Sequence, residues 1–289
     1  MKKFTLIFAF VALFLTACVP VTRWNYIILL DNSRTISPET TERYIRIIEQ
    51  TVLPKLRYCD RLTIQFIDQC SVTLSEKIIT FDLSTMKFDN LTDGYMNMED
   101  SSKSRVKQYI NASVINNFKT IILQKKKERE GCSDYTDIIN ALRETQKLLI
   151  YRKNYTTKTD QLLNLAKGVE NYEYKDCIII LSDMIHTSEN DKTSFNNLGD
   201  YQDPDIIVPE MIKKMKSTKQ IPLLSKTKVL VYGSTSSPFN SKNANKQIEN
   251  IHSFWIEFFR QAKADLAVYG FDSETEISDF LVSTDNKHN

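Results

Sequence analysis

The chain has 289 residues, 42% of them hydrophobic and 26% charged, with 38 basic residues against 36 acidic ones. That near-neutral balance excludes the broad positive footprint of a nucleic-acid-binding protein, and the apolar content excludes a chain too polar to fold. The length suits one large domain with insertions or two small ones.

The first segment, MKKFTLIFAFVALFLTAC, is set apart from the fold. Lys2 and Lys3 form a basic start, Phe4 to Leu15 is nearly all apolar, and small residues stand just ahead of Cys18. The pattern resembles a bacterial lipoprotein signal, with residues 1–17 removed and Cys18 left as the lipid-modified first residue. A transmembrane anchor is the alternative, but the apolar run falls short of the ~20 residues that span a bilayer. Loss of Lys2 and Lys3 makes the basic and acidic counts equal. Val19 is not Asp, which favours the outer membrane under the sorting pattern of enteric bacteria.

A tether of residues 18–23 leads into residues 24–30, an apolar run that reads as a central strand. Residues 38–56 carry a helical apolar face, with Ser37 before Pro38 as its start signal. Strands follow at 61–68 and 76–83, close enough for an antiparallel hairpin. Residues 101–130 read mostly as helix; its basic run, Lys125 to Lys127 followed by Glu128, reads as a solvated face. A second amphipathic helix covers 136–151. Residues 176–183, DCIIILSD, form the most continuous apolar strand, suited to a position covered on both faces.

Residues 184–224 are read as an insertion with one helix near 206–217. Strands at 228–234 and 264–270, separated by a helix at 248–264, complete the pattern, and residues 272–289 are left as a C-terminal tail. Alternation of strand and helix predicts one α/β domain, doubly wound with a mostly parallel sheet, over residues 24–271.

Ligands of such sheets bind beyond the carboxyl ends of the strands where strand order reverses. Three loops there carry oxygen-bearing side chains: Asp31, Ser33 and Thr35 after the first strand, Thr136 and Asp137 at a helix start, and Asp183 after the apolar strand. The order D-x-S-x-T, Thr, Asp resembles the von Willebrand factor type A domain with its metal-ion-dependent adhesion site, over roughly residues 24–270. Thr35 stands where that family has Ser, Tyr135 precedes Thr136, and Met184 follows Asp183 where glycine is common.

The resemblance implies a Rossmann-like sheet of order 3-2-1-4-5-6 with the third strand antiparallel. It implies that Ser33, Thr35 and Thr136 hold Mg²⁺ or Mn²⁺ through hydroxyls, with Asp31 and Asp183 bound directly or through water. The open coordination position then takes an Asp or Glu carboxylate of a protein partner. The expected role is binding rather than catalysis, in the cell envelope, anchored by the lipid on Cys18 and facing periplasm or exterior. A metal-independent scaffold acting through residues 184–224 is the alternative, and a metal-dependent hydrolase a weaker one, since no nucleophile and base pair is identifiable.

Four cysteines remain once Cys18 is assigned to lipid. Cys59 and Cys70 flank one strand, roughly 36 Å apart if it is extended, which excludes their pairing. Free thiols are one alternative; the strand order of the resembled family implies Cys70 with Cys132 and Cys59 with Cys177. His186, His252 and His288 lack the spacing of a zinc site, and His186 is expected on a surface loop. Trp255, Phe258 and Phe259 are read as core of the helix at 248–264.

Overall fold

The computed structural model describes residues 21–56, 60–71, 79–82, 116–149, 172–188, 195, 203–234, 244–270 and 274–283. The leader, Cys18 and Cys59 lie outside them. Six strands form one sheet: β1 (Val21–Asp31), β2 (Arg61–Ile67), β3 (Ile79–Asp82), β4 (Tyr172–Leu181), β5 (Lys228–Tyr232) and β6 (Asp265–Gly270). They stand in the order β3-β2-β1-β4-β5-β6. β1 runs parallel to β2 and β4, β5 runs parallel to β4 and β6, and β3 is antiparallel to β2. The alternating α/β pattern is thus a doubly wound sheet.

Side chains of β1 alternate between two cores, as the two-residue repeat of a strand requires. Tyr26, Ile28 and Leu30 join one core with Ile179, Leu181 and Leu230, while Ile27 and Leu29 join the other with Ile178, Ile180 and Val231. Both sets are buried, which explains why β1 and β4 read as unbroken apolar runs rather than as alternation.

The first core is covered by α1 (Pro38–Ile47) and α2 (Asn116–Glu128). Ser37 caps α1 by accepting from the Thr40 amide at 3.1 Å. A π-helical turn over Ile48–Val52 and a 3-10 turn over Leu53–Lys55 continue it. The second core is covered by α3 (Ile138–Thr145), α4 (Pro204–Ser217) and α5 (Ala244–Gln261). Trp255, Phe258 and Phe259 of α5 are fully buried there, as core residues rather than a recognition stripe.

Residues 274–283, assigned to a tail, form a helix, α6 (Glu274–Ser283). It buries Ile277 and Leu281 in the first core, and Phe280 meets Trp24 edge-on at 5.7 Å. Two apolar residues four apart were too short a pattern to distinguish a docked helix from a polar end.

Cys70 and Cys132 form a disulfide with Cα atoms 5.4 Å apart. The expected Cys59–Cys177 bridge is corrected: Cys177 is a free, buried thiol. β4 begins at Tyr172, so Cys177 lies well inside the strand rather than before it, in register with Tyr26 and Lys228. In that place it is core packing, and burial raises its thiol pKa. Among the described residues no helix is long and apolar enough to cross a membrane.

Candidate functional site

The chain leaves β1 toward β2 and β3 on one side and resumes from β4 toward β6 on the other, so strand order reverses between β1 and β4. Asp31 ends β1 and Asp183 follows β4 at this point. Both are buried, with relative exposures of 1% and 3%.

Each carboxylate folds its own loop. Asp31 Oδ1 accepts from the Ser33 amide at 2.9 Å, and Asp183 Oδ1 accepts from the Ile185 amide at 2.9 Å, the two-residue reach of an Asx turn. The other oxygens accept from hydroxyls: Ser182 Oγ, fully buried, donates to Asp31 Oδ2 at 2.6 Å, and Thr35 Oγ1 donates to Asp183 Oδ2 at 3.4 Å. Ser33 Oγ and Thr35 Oγ1 are 2.8 Å apart. Four of the five sequence-predicted ligands therefore form one connected group, with Thr35 exposed at its mouth.

Thr136 is buried in the neighbouring loop, and its hydroxyl makes no hydrogen bond to the other four. Its backbone is sewn to the loop after Asp183: the Thr136 amide donates to Thr187 Oγ1 at 2.8 Å, and its carbonyl accepts from the Thr187 amide at 3.0 Å. The same loop meets the first one where the Arg34 amide donates to the Ser133 carbonyl at 2.9 Å. Arg34 and Asp134 add an exposed ion pair at 2.7 Å.

Burial pushes Asp31 above the usual carboxylate range. Asp183 is pushed up to about 8, by burial first and then by the charge of Asp31. Neither forms an ion pair among the described residues. Lys126, whose Nζ donates to Thr41 Oγ1 at 3.1 Å, is the cation whose field reaches Asp31, and burial holds its own pKa below the usual lysine range. Below the pair, the Tyr44 hydroxyl is buried with no hydrogen-bond partner, close to Gly233. Two buried carboxylates with hydroxyls at their mouth fit a hard divalent cation, which prefers oxygen donors. Among the described residues no group of three or more His, Cys, Asp or Glu side chains forms a metal cluster; this donor set is of a different kind, with two carboxylates and three hydroxyls.

His186, expected on a surface loop, is fully buried, with Nδ1 3.2 Å from the Thr136 carbonyl and its ring beside Phe195. Met184 holds a left-handed backbone, φ 64°, where glycine is the easy residue. Its amide is bonded by Ser182 Oγ at 3.0 Å and its carbonyl by the Trp255 indole at 2.8 Å, so neighbouring side chains impose the turn.

Two residues escaped the sequence reading. Asp68, at the end of β2, accepts two bonds from Arg129, at 2.8 and 2.7 Å, and one from the Cys70 amide at 3.0 Å. The Gln69 amide donates to the Cys132 carbonyl at 2.9 Å. Ion pair and disulfide together fix the floor of the Thr136 loop. Asp68 follows the apolar run of β2 much as Asp31 follows that of β1, which was a signal in the sequence; Arg129 had none, being one charge in a mixed run.

No protein-family model matches this chain, and no curated protein matches it. Among solved structures, two crystal forms of proximal thread matrix protein 1 from the mussel byssus align over 92% of this chain. They are 14% and 13% identical to it, with TM-scores of 0.32 and 0.33, and the chain spans about half the length of that protein, 48% and 47%. A likeness at this level defines neither a shared fold nor a shared role.

Proposed function

We propose that this chain is a lipid-anchored envelope protein whose domain resembles the von Willebrand factor type A fold and binds a protein partner through a divalent cation. The observation that carries the reading is the linked set Ser33, Thr35 and Asp183, with Asp31 behind it, at the reversal point of the sheet. The strand order and the antiparallel β3 support it. So does the lipoprotein-like leader, which would place Cys18 in an outer membrane and the domain immediately beyond it.

In this reading Ser33, Thr35 and Thr136 offer hydroxyl oxygens to Mg²⁺ or Mn²⁺, and Asp31 and Asp183 supply the negative charge, directly or through water. The cation supplies an electron-poor centre for an Asp or Glu carboxylate of the partner. Neutral hydroxyls near it leave its charge less satisfied than a cage of carboxylates would, which strengthens that acidic ligand. The chain's own part is to hold the oxygens at one rim, through the Asx turns and the Ser182 bond. The role is binding, not catalysis.

Calorimetry of the full chain with Mg²⁺ and Mn²⁺ tests this. Heat of binding that disappears in Asp31→Ala and weakens in Thr35→Val is the expected result; Thr35 is exposed, so its variant keeps the fold. No heat with the unaltered chain overturns the metal reading. That outcome would favour a metal-independent scaffold, for which Ile206 and Leu223, 63% and 40% exposed in the segment after Asp183, offer apolar contact.

A further inference from the structure

The basic run of α2 does not form a uniform solvated face. Lys125 does not line the cavity beside this helix and pairs with Glu128 at 2.7 Å. Leu123, Lys126 and Lys127 follow the i, i+3, i+4 spacing of one helical stripe, and together with Glu130, in the turn just beyond α2, they line a cavity of about 470 Å³. Ser33 lines the same cavity, so it opens directly beside the proposed cation site. Ile36 contributes apolar surface next to Leu123.

The charges in this cavity do not balance. Arg34, Lys126 and Lys127 face one carboxylate, Glu130, and Arg34 is already paired with Asp134. Lys126 is half-buried, and its hydrogen bond is to a neutral hydroxyl, Thr41.

We propose that this cavity is a second subsite for the same partner, in which Lys126 and Lys127 receive a second carboxylate from an acidic peptide segment whose first carboxylate is on the metal. The inference rests on the metal-binding reading and adds partner chemistry to it: two acids spaced along one segment, with small or apolar residues over Ile36 and Leu123. One acid would satisfy the cation, and the second would select among the many proteins that display a single exposed Asp.

Fluorescein-labelled, capped Gly/Ser peptides carrying one Asp, alone or with a Glu two, three, four or five residues away, test it by anisotropy against the full chain in Mg²⁺. At one or more spacings the second acid is expected to tighten binding about tenfold, the scale of a charge-assisted hydrogen bond. Lys126→Gln with Lys127→Gln should erase that gain, read as the ratio of two-acid to single-Asp affinity within the same variant. Lys125→Gln, on the same helix but outside the cavity lining, should leave the gain intact. No gain at any spacing, or an equal loss in Lys125→Gln, overturns the subsite. So does loss, in the double variant, of binding to vesicles of anionic lipid without any peptide gain, which would assign the lysines to the membrane surface. An EDTA arm separates the two readings: peptide binding that survives EDTA but loses the second-acid gain with the lysines removes the metal and keeps the subsite.

Discussion

Two neighbouring strand ends solve the same problem in opposite ways. β1 ends in an aspartate and β2 is followed directly by one, and in each an oxygen accepts the amide two residues on, Asp31 from Ser33 and Asp68 from Cys70. Asp68 is then neutralised by a two-pronged Arg129 and locked by the adjoining disulfide. Asp31 has no such arginine and sits instead against a second buried carboxylate, Asp183. The first arrangement spends its charge internally and is structural. The second leaves charge unspent, and that difference is what marks a place for a ligand.

The largest effect is expected on the structural side. Arg129→Met strands Asp68 in a buried position and should cost about 3 to 5 kcal/mol, read from urea unfolding of the oxidised chain; a loss within about 0.5 kcal/mol would make the pair dispensable. Reduction of Cys70–Cys132 should cost about 2 to 4 kcal/mol by releasing a 62-residue loop. Because the disulfide braces the loop bearing Thr136, it should also weaken Mg²⁺ binding. Unchanged Mg²⁺ affinity after reduction would separate the two regions.

The charged pair should behave in the reverse sense. Without metal, Asp183→Asn removes a repulsion and should stabilise the chain at pH 8 by about 1 to 3 kcal/mol. The sign follows from the raised pKa. Between the ordinary carboxyl value and about 8 the folded chain holds the Asp183 proton more tightly than the unfolded chain, so stability falls as pH rises through that window. Thermal unfolding of the metal-free chain from pH 5 to 8 should show this fall, and Mg²⁺ should flatten it. A flat metal-free profile would mean that the carboxylates are compensated after all.

Much of this comparison was visible beforehand, and its limits have physical causes. The apolar runs of β1 and β4 announce strands buried on both faces, and oxygen-bearing residues at every second position after Leu30 announce a rim. The Cys70–Cys132 bridge came with the implied strand order, not from spacing. Cys177 was misplaced because β4 begins at Tyr172, well before its aliphatic stretch and the expected start at 176. His186 looked exposed because polar residues follow it, whereas Phe195, nine positions later, folds back over it. Asp68 and Arg129 form a long-range pair, and a charge partner 61 residues away leaves no local trace.

Met184 sits next to Asp183 in a backbone twist that aims its carbonyl at the indole of Trp255, and the molecule carries only one other tryptophan, Trp24, near the opposite end of β1. The excited indole is sensitive to the dipole it bonds. Intrinsic fluorescence thus provides a built-in gauge of the loop that follows β4, able to register cation or partner arrival as a shift in emission, with a Trp24→Phe chain supplying the signal from this single reporter.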